Sequence, residues 1–532
     1  MSRHHQLLEQ MRSANPVPDP DQTDPDELSV VHSLISEGRA GAATTAQRER
    51  RDRRLEPPRY PRLRPAAVFV TSLVLALAGI GVTALILRGN ENQPPATSTP
   101  VTTATSVPET TPPTSVTSEP PPAVFDFVWA RLPHDDAVFG DGSYAMSVFD
   151  LAYGHDTWLA VGRYDAVLGP DIAFVDRGAV LISPDGIIWE RVTGHPDLDF
   201  GEFPWWDGGP IMRAAAATDR GFVVVGVRSL AGPEQGEPER SREAAVWTSA
   251  DGRNWSAIPY DPAIFGGGQD DPASMVDVVA VGDQVIAVGQ LADAAAVWLS
   301  PDGGRSWSLA THAETAFGRR DTPDEQHDGE GDGVQAMYSV ARGSAGFVSV
   351  GVDGNRAAAW MSEDGLTWSR VSPDQAAFVG EGALAMSDVV AVASGYVAVG
   401  TESIVTDGDP DSRAAAWFSP DGMDWIRITH DPAVFGGYPE DLVMSAVAAG
   451  PDGIVAVGSS GRDDEMRGVV WTSSDGIAWR RITDGPVFSG RNGAWIGDVM
   501  ATGEGFIAVG AEMDDTDWMY GGYAAVWVTN SE

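Results

Sequence analysis

The sequence predicts an all-β ring: a seven-bladed β-propeller of four-stranded blades closed by its N-terminal strand, preceded by one transmembrane helix and a disordered stalk. Three observations predict it. A strand signal ending in Val-Gly recurs seven times, as TWLAVG (157–162), GFVVVG (221–226), QVIAVG (284–289), GFVSVG (346–351), GYVAVG (395–400), GIVAVG (453–458) and GFIAVG (505–510). A second signal, of the type AAAWFS, follows each of these and runs six times into a short Ser-x-Asp turn that ends at a Trp. The seventh turn is missing where the two ends of the repeat would meet: Trp129 has no repeat strands before it, and AAVWVT (524–529) has no Trp strand after it. The strand around Phe127–Leu132 should therefore complete the blade whose other strands lie at about 494–500, 505–510 and 523–529. Such closure hides the strand edges that an open array would expose.

From the N-terminus, residues 1–65 hold 11 Arg against 10 acids and too few apolar residues for a core, so this segment reads as cytoplasmic and largely disordered. Its start, LLEQMRSANPVPDPD, resembles the short leader of some actinobacterial single-pass proteins found near sigma-factor systems. Eight Arg between 48 and 64 precede 66–87, 22 residues without a charge, which is the length of a bilayer-spanning helix. The positive flank puts the N-terminus in the cytoplasm and the rest outside. Residues 88–123 are dominated by Thr, Pro and Ser and read as an extracellular stalk. The propeller domain occupies 124–532.

The chain has 532 residues and no Cys, which excludes disulfides, thiolate metal sites and thiol nucleophiles. Its net charge of −41 sits almost wholly in the propeller, where 23 Arg face 63 acids. That balance argues against nucleic acid as a partner and favours cations or basic surfaces.

The turn between the third and fourth strand signals has a local logic. Six copies run Ser183–Trp189, Ser249–Trp255, Ser300–Trp307, Ser362–Trp368, Ser419–Trp425 and Ser473–Trp479. Ser and Asp (Asp185, Asp251, Asp302, Asp364, Asp421, Asp475) offer oxygens to turn N–H groups, and Gly, as at Gly186 and Gly304, supplies a positive φ. The Trp residues (Trp189, Trp255, Trp307, Trp368, Trp425, Trp479) bury a ring between sheets. SPDGGRSW (300–307) fits the Asp-box pattern S-x-D-x-G-x-x-W, and the other five are one residue shorter. In these residues the chain resembles the Asp-box, or BNR-repeat, sialidase-like propellers. The resemblance implies a propeller and, in its catalytic members, sialidase chemistry.

Antiparallel blades put these turns on one face and the longer loops on the other, where ligand sites are expected. Asp407, Asp409 and Asp411 alternate as hard-cation ligands do and are the candidate calcium site, without the Gly and distal Glu of an EF-hand. Trp205, Trp206, Trp518 and Tyr520 are candidate stacking residues for a sugar or anchors for a protein. The resemblance also implies an arginine cluster clamping a substrate carboxylate, a Tyr–Glu nucleophile pair and an acid/base Asp. Arg131, in WARLP, is a near match to the first arginine, but it also belongs to a series with Arg191, Arg370, Arg427 and Arg481, and the other members of the set cannot be placed. No catalytic residue and no cofactor are assigned. The reading is a membrane-tethered extracellular module that binds a protein, glycan or cell-wall ligand. The alternatives are a sialidase-type exo-glycosidase and a transmembrane sensor linked to a cytoplasmic regulator such as a sigma factor.

Overall fold

Alternating apolar residues, rich in Val and Ala and punctuated by Gly, form strands that bury both faces against neighbouring sheets. The computed structural model describes residues 127–530 apart from 141–144, 168–173, 200–208, 230–241, 267–271, 312, 319–333, 407–408, 439, 462–465, 483–485, 491–492 and 514–521. Within them are seven four-stranded antiparallel sheets. Blades 1 to 6 span 146–191, 210–257, 273–309, 335–370, 383–427 and 442–482. Blade 7 is made of Ala494–Ala501, Phe506–Met513 and Gly522–Asn530, completed by the N-terminal strand Val128–Arg131. That strand pairs with Gly522–Asn530, Trp129 opposite Thr529, so the ring closes as the repeat count predicts. Among the described residues no helix is long and apolar enough to cross a membrane. The expected segments 1–65, 66–87 and 88–123 lie outside those residues.

The Val-Gly step within each second strand has a packing cause. Every first strand carries a register shift, for example between Met275 and Asp277 or between Met386 and Asp388, and the bulge pushes a carbonyl towards the second strand. A Cβ at Gly289 would lie 2.0 Å from the Ser274 carbonyl oxygen, and one at Gly400 2.1 Å from that of Ala385. Only glycine fits there.

The cores lie between blades. Blades 4 and 5 share Val348, Val350, Phe378, Met386, Trp417 and Trp425, and blades 2 and 3 share Val223, Val225, Met275, Trp298 and Trp307. Four-residue helices at Asp136–Phe139, Pro196–Asp199, Pro262–Phe265, Glu314–Phe317 and Pro432–Phe435, with 3-10 turns at Ala376–Phe378 and Pro486–Phe488, connect successive blades. They were not anticipated, although the sequence repeats their pattern in YDPAIFG (260–266) and HDPAVFG (430–436). Asp261 and Asp431 cap them by accepting from the Ala263 and Ala433 N–H groups. The third-strand Trp of the blade that follows donates its indole N–H to a carbonyl of the helical turn: Trp298 to Ile264 at 2.7 Å, Trp417 to Ala377 at 2.8 Å, Trp527 to Val487 at 2.8 Å. A fully buried indole is thereby satisfied while it pins the connection.

The six Ser-Asp turns close as expected. In the copy at 419–425 the Ser419 hydroxyl accepts from the Gly422 N–H at 2.8 Å, and Asp421 accepts from the Met423 and Asp424 N–H groups at 2.9 Å. Gly422 has φ 81°. The Trp425 indole donates to the Gly422 carbonyl, so each turn also ties down its own Trp.

In blades 5 and 1 the second and third strands run on as extended hairpins. Gly395–Thr406 and Asp409–Ser419 stay paired out to Thr406 opposite Asp409, and the corresponding hairpin of blade 1 reaches Val167 opposite Phe174. Ile404 and Val405 continue the strand preference past the ring.

Candidate functional site

Two sets of ionisable groups organise the ring. The first lines the centre. Just after each register shift the first strands place Asp150, Ala214, Asp277, Ser339, Asp388, Ala446 and Asp498 at equivalent positions. The carboxyls bridge blades. Asp498 accepts from the Leu151 N–H at 2.9 Å, Asp150 from Ala215 at 2.6 Å, Asp277 from Val340 at 2.7 Å and Asp388 from Val447 at 2.7 Å. Ser339 joins blades 4 and 5 by donating to Asp388 at 2.6 Å and accepting from the Val389 N–H. Burial, and then repulsion from Asp388 across the ring, push the Asp277 and Asp498 carboxyls up to about 7. Burial and the adjacent Asp498 raise Asp150 well above the ordinary carboxylate range, and burial raises Asp388. Arg213 of blade 2 lies over the Phe149 ring beside this group, 5.2 Å from its centre.

The second set lies at the outer edge, towards the loop face. In blade 5 Arg427 of the fourth strand meets Glu402 of the second at 2.8 Å; in blade 4 Arg370 meets Asp353 at 2.9 Å; in blade 7 Arg131 meets Glu512 at 2.6 Å. Arg481 meets Glu440 at 2.9 Å, and Arg191 stands over the Tyr164 ring, 4.0 Å from its centre. Arg131 is thus one of a rim series, each member held on its own blade or the adjoining connection. Burial works against the Glu402 charge, yet the bonds from Arg427 leave it below the usual range.

Of the sequence candidates, Asp411 is buried, with the Arg413 guanidinium Nε 3.8 Å away. Asp409 forms the end of the blade 5 hairpin opposite Thr406. Asp407, Trp205, Trp206, Trp518 and Tyr520 lie outside the described residues. Among the described residues no group of three His, Asp or Glu side chains is placed to hold a metal ion. The channel carboxyls escaped sequence reasoning. Their signal was present as an apolar residue, any residue, then Asp, in Met275-Val276-Asp277, Met386-Ser387-Asp388 and Ile496-Gly497-Asp498.

No protein-family model matches the chain, and no curated protein matches it. The chain is similar to several solved structures. A polysaccharide lyase of family PL25, an ulvan lyase, is 12% identical with a TM-score of 0.41, over 70% of this chain and 90% of that one. The phage phi92 endosialidase is 11% identical, TM-score 0.37, over 77% of this chain and 70% of that one. A putative 6-phosphogluconolactonase from Bacteroides uniformis is 9% identical, TM-score 0.35, over 69% and 95%. Their named activities differ from one another, and none is carried over to this chain.

Proposed function

We propose that the chain is a non-catalytic, membrane-anchored member of the Asp-box, sialidase-like propellers, which presents its loop face outside the cell to bind a protein, glycan or cell-wall ligand. The observation that carries this reading is the commitment of the rim arginines. Arg131, Arg370 and Arg427 each neutralise an acid of their own blade at the outer edge, where a carboxylate-clamping cluster at the centre would need them free. The central carboxyls likewise spend their oxygens on backbone N–H groups of the next blade. On this reading the rim arginines and central carboxyls hold the ring together, and the rigid ring presents the loops. Its anchor would be the apolar segment 66–87, its spacer the stalk 88–123, and the long acidic loops its contact surface.

The test is a glycan and cell-wall-fragment binding screen on the full chain, with calcium and with chelator, and with a fluorogenic sialoside in the same plate. Saturable binding without turnover is the expected result. Turnover of the sialoside overturns it. Binding that vanishes with chelator would assign calcium to the contact surface, with Asp407, Asp409 and Asp411 as the first residues to replace.

A further inference from the structure

The ring is closed differently from the way its blades are built. In blades 1 to 6 the fourth strand follows the third through a Ser-Asp turn, which its own Trp ties down, as Trp425 does by donating to the Gly422 carbonyl. Blade 7 has no such turn. Its fourth strand, Val128–Arg131, comes from the N-terminal side of the chain and lies antiparallel to Gly522–Asn530, with Val128 opposite Asn530 and Arg131 opposite Trp527. Val128 and Asn530 stand where the missing turn would join them, which is the turn face. The chain that precedes Phe127 therefore meets the ring on the turn face, and the closure strand runs from there towards the loop face.

This strand is held more extensively than most of its equivalents. In blades 1, 3, 4 and 5 the fourth strand pairs with the third at two positions, whereas the closure strand pairs at four. Its side chains add to the ladder. Trp129 is buried in the core between blades 6 and 7, its ring edge-on to Phe488 at 5.9 Å, and Phe127 stands edge-on to Phe506 at 5.1 Å. Arg131 meets the buried Glu512 at 2.6 Å, and Leu132, just after the strand, is buried. The hydrogen bonds of an antiparallel ladder run perpendicular to its strands. A pull along the strand strains them all together and drags Trp129 and Leu132 from their seats at the same moment. A pull across the strands at one end opens them pair by pair.

We propose that the closure strand is the load-bearing joint of the tethered module, which keeps the ring shut when a ligand held on the loop face is drawn away from the anchor. The direction of the load follows from the topology. The tether joins on the turn face, the contact surface is the loop face, and Val128–Arg131 runs from one towards the other. Force between them passes along the strand, and its ladder to Gly522–Asn530 takes that force in shear. The same four pairs are weak in another direction. Val128 and Asn530 are neighbours, so a pull between the N-terminal chain and the C-terminus opens the ladder from its end. The proposal rests on the anchored binding-module reading for the source of the load, whereas the directional strength of the joint belongs to the fold.

The experiment pulls the full chain, held in detergent micelles, in an optical trap along two directions. The chain has no Cys, so pairs of substituted cysteines place the handles. Thr103→Cys with Val405→Cys loads the closure strand along its length. Val405 is 65% exposed at the loop-face end of the blade 5 hairpin, and its strand is paired at nine positions with the first strand and eleven with the third, so this handle is held more firmly than the joint under test. Thr103→Cys with Glu532→Cys pulls across the same ladder from its end. Rupture along the first direction is expected at about two to four times the force of the second, because four pairs share the load instead of taking it in turn. The first length released across the ladder should end before Met146, where blade 1 begins. Equal rupture forces, or a first step in either direction that frees another blade while the closure strand stays paired, overturn the proposal. Neither handle pair needs a ligand or a membrane, so this failure is distinct from a failure of the binding screen.

Discussion

Two sets of aspartates in this ring have the same side chain and opposite electrostatics. The turn set, Asp251 and Asp421 among them, stands in water at the edge of one face and accepts two or more backbone N–H bonds. Asp251 is drawn down to about 2 by the N–H of Asn254 and its neighbours, and Asp421 is lowered chiefly by the Asp424 N–H. The channel set, Asp150, Asp277, Asp388 and Asp498, also accepts N–H bonds, but burial and mutual repulsion outweigh them and raise the carboxyls. Hydrogen bonding decides where water screens the charge. Desolvation decides where four acids face one another in a closed ring.

The contrast can be broken first at the channel. Asp277→Ala deprives the Val340 and Val278 N–H groups of their acceptor, and at about 1–3 kcal/mol for each buried unsatisfied group this is the largest loss expected, read by urea unfolding at pH 5. Asp277→Asn keeps an acceptor oxygen and removes the charge. It should fall near wild type at pH 5 and be more stable than wild type at pH 8. Equal destabilisation of Ala and Asn variants at both pH values would show that the charge is not strained.

The second test is the pH profile of the wild type. A group whose folded pKa is raised stabilises the fold below its unfolded value, and that contribution is lost as pH rises through the folded value. For Asp277 and Asp498 the loss falls between about 4 and 7. Each is bounded by about 4 kcal/mol, which the partial access of water to the channel reduces. The turn aspartates act in the opposite sense: their stabilisation is present above about 4 and lost as pH falls towards about 2. Melting temperature should therefore peak in mild acid, near pH 4 to 5, and decline towards pH 8. A flat profile from pH 5 to 8 would contradict the channel reading.

The smallest effect belongs to the turns. Asp421→Ala removes two acceptors from N–H groups that water can reach, and a cost of about 1 kcal/mol is expected, as at a helix cap. A cost as large as that of Asp277→Ala would erase the distinction between the two sets.

Much of the fold was legible because it repeats. Val-Gly strand endings and Ser-Asp turns are local solutions to local problems, and seven copies make the period plain. Closure was legible from the one missing turn and the solitary Trp129 strand. The channel aspartates were not, because one polar residue in a short apolar strand reads as the solvent side of an alternation until the bulge shows that it turns to the centre. The departure of blade 2 from the rim series was hidden for a similar reason. Ala257 is an unremarkable alanine in sequence, and only its register opposite Trp247 shows that it stands where other blades place an arginine.

The sequence by itself determined the number of blades, the class of each turn and the place where the ring shuts, since these follow from contacts between residues close in the chain or from the count of identical units. Only the tertiary structure decided which carboxyls are strained and which are at ease. The channel carboxyls depend on burial and on neighbours about 60 residues or more away along the chain, such as Asp277 with Val340 or Asp150 with Asp498, and no local pattern encodes them.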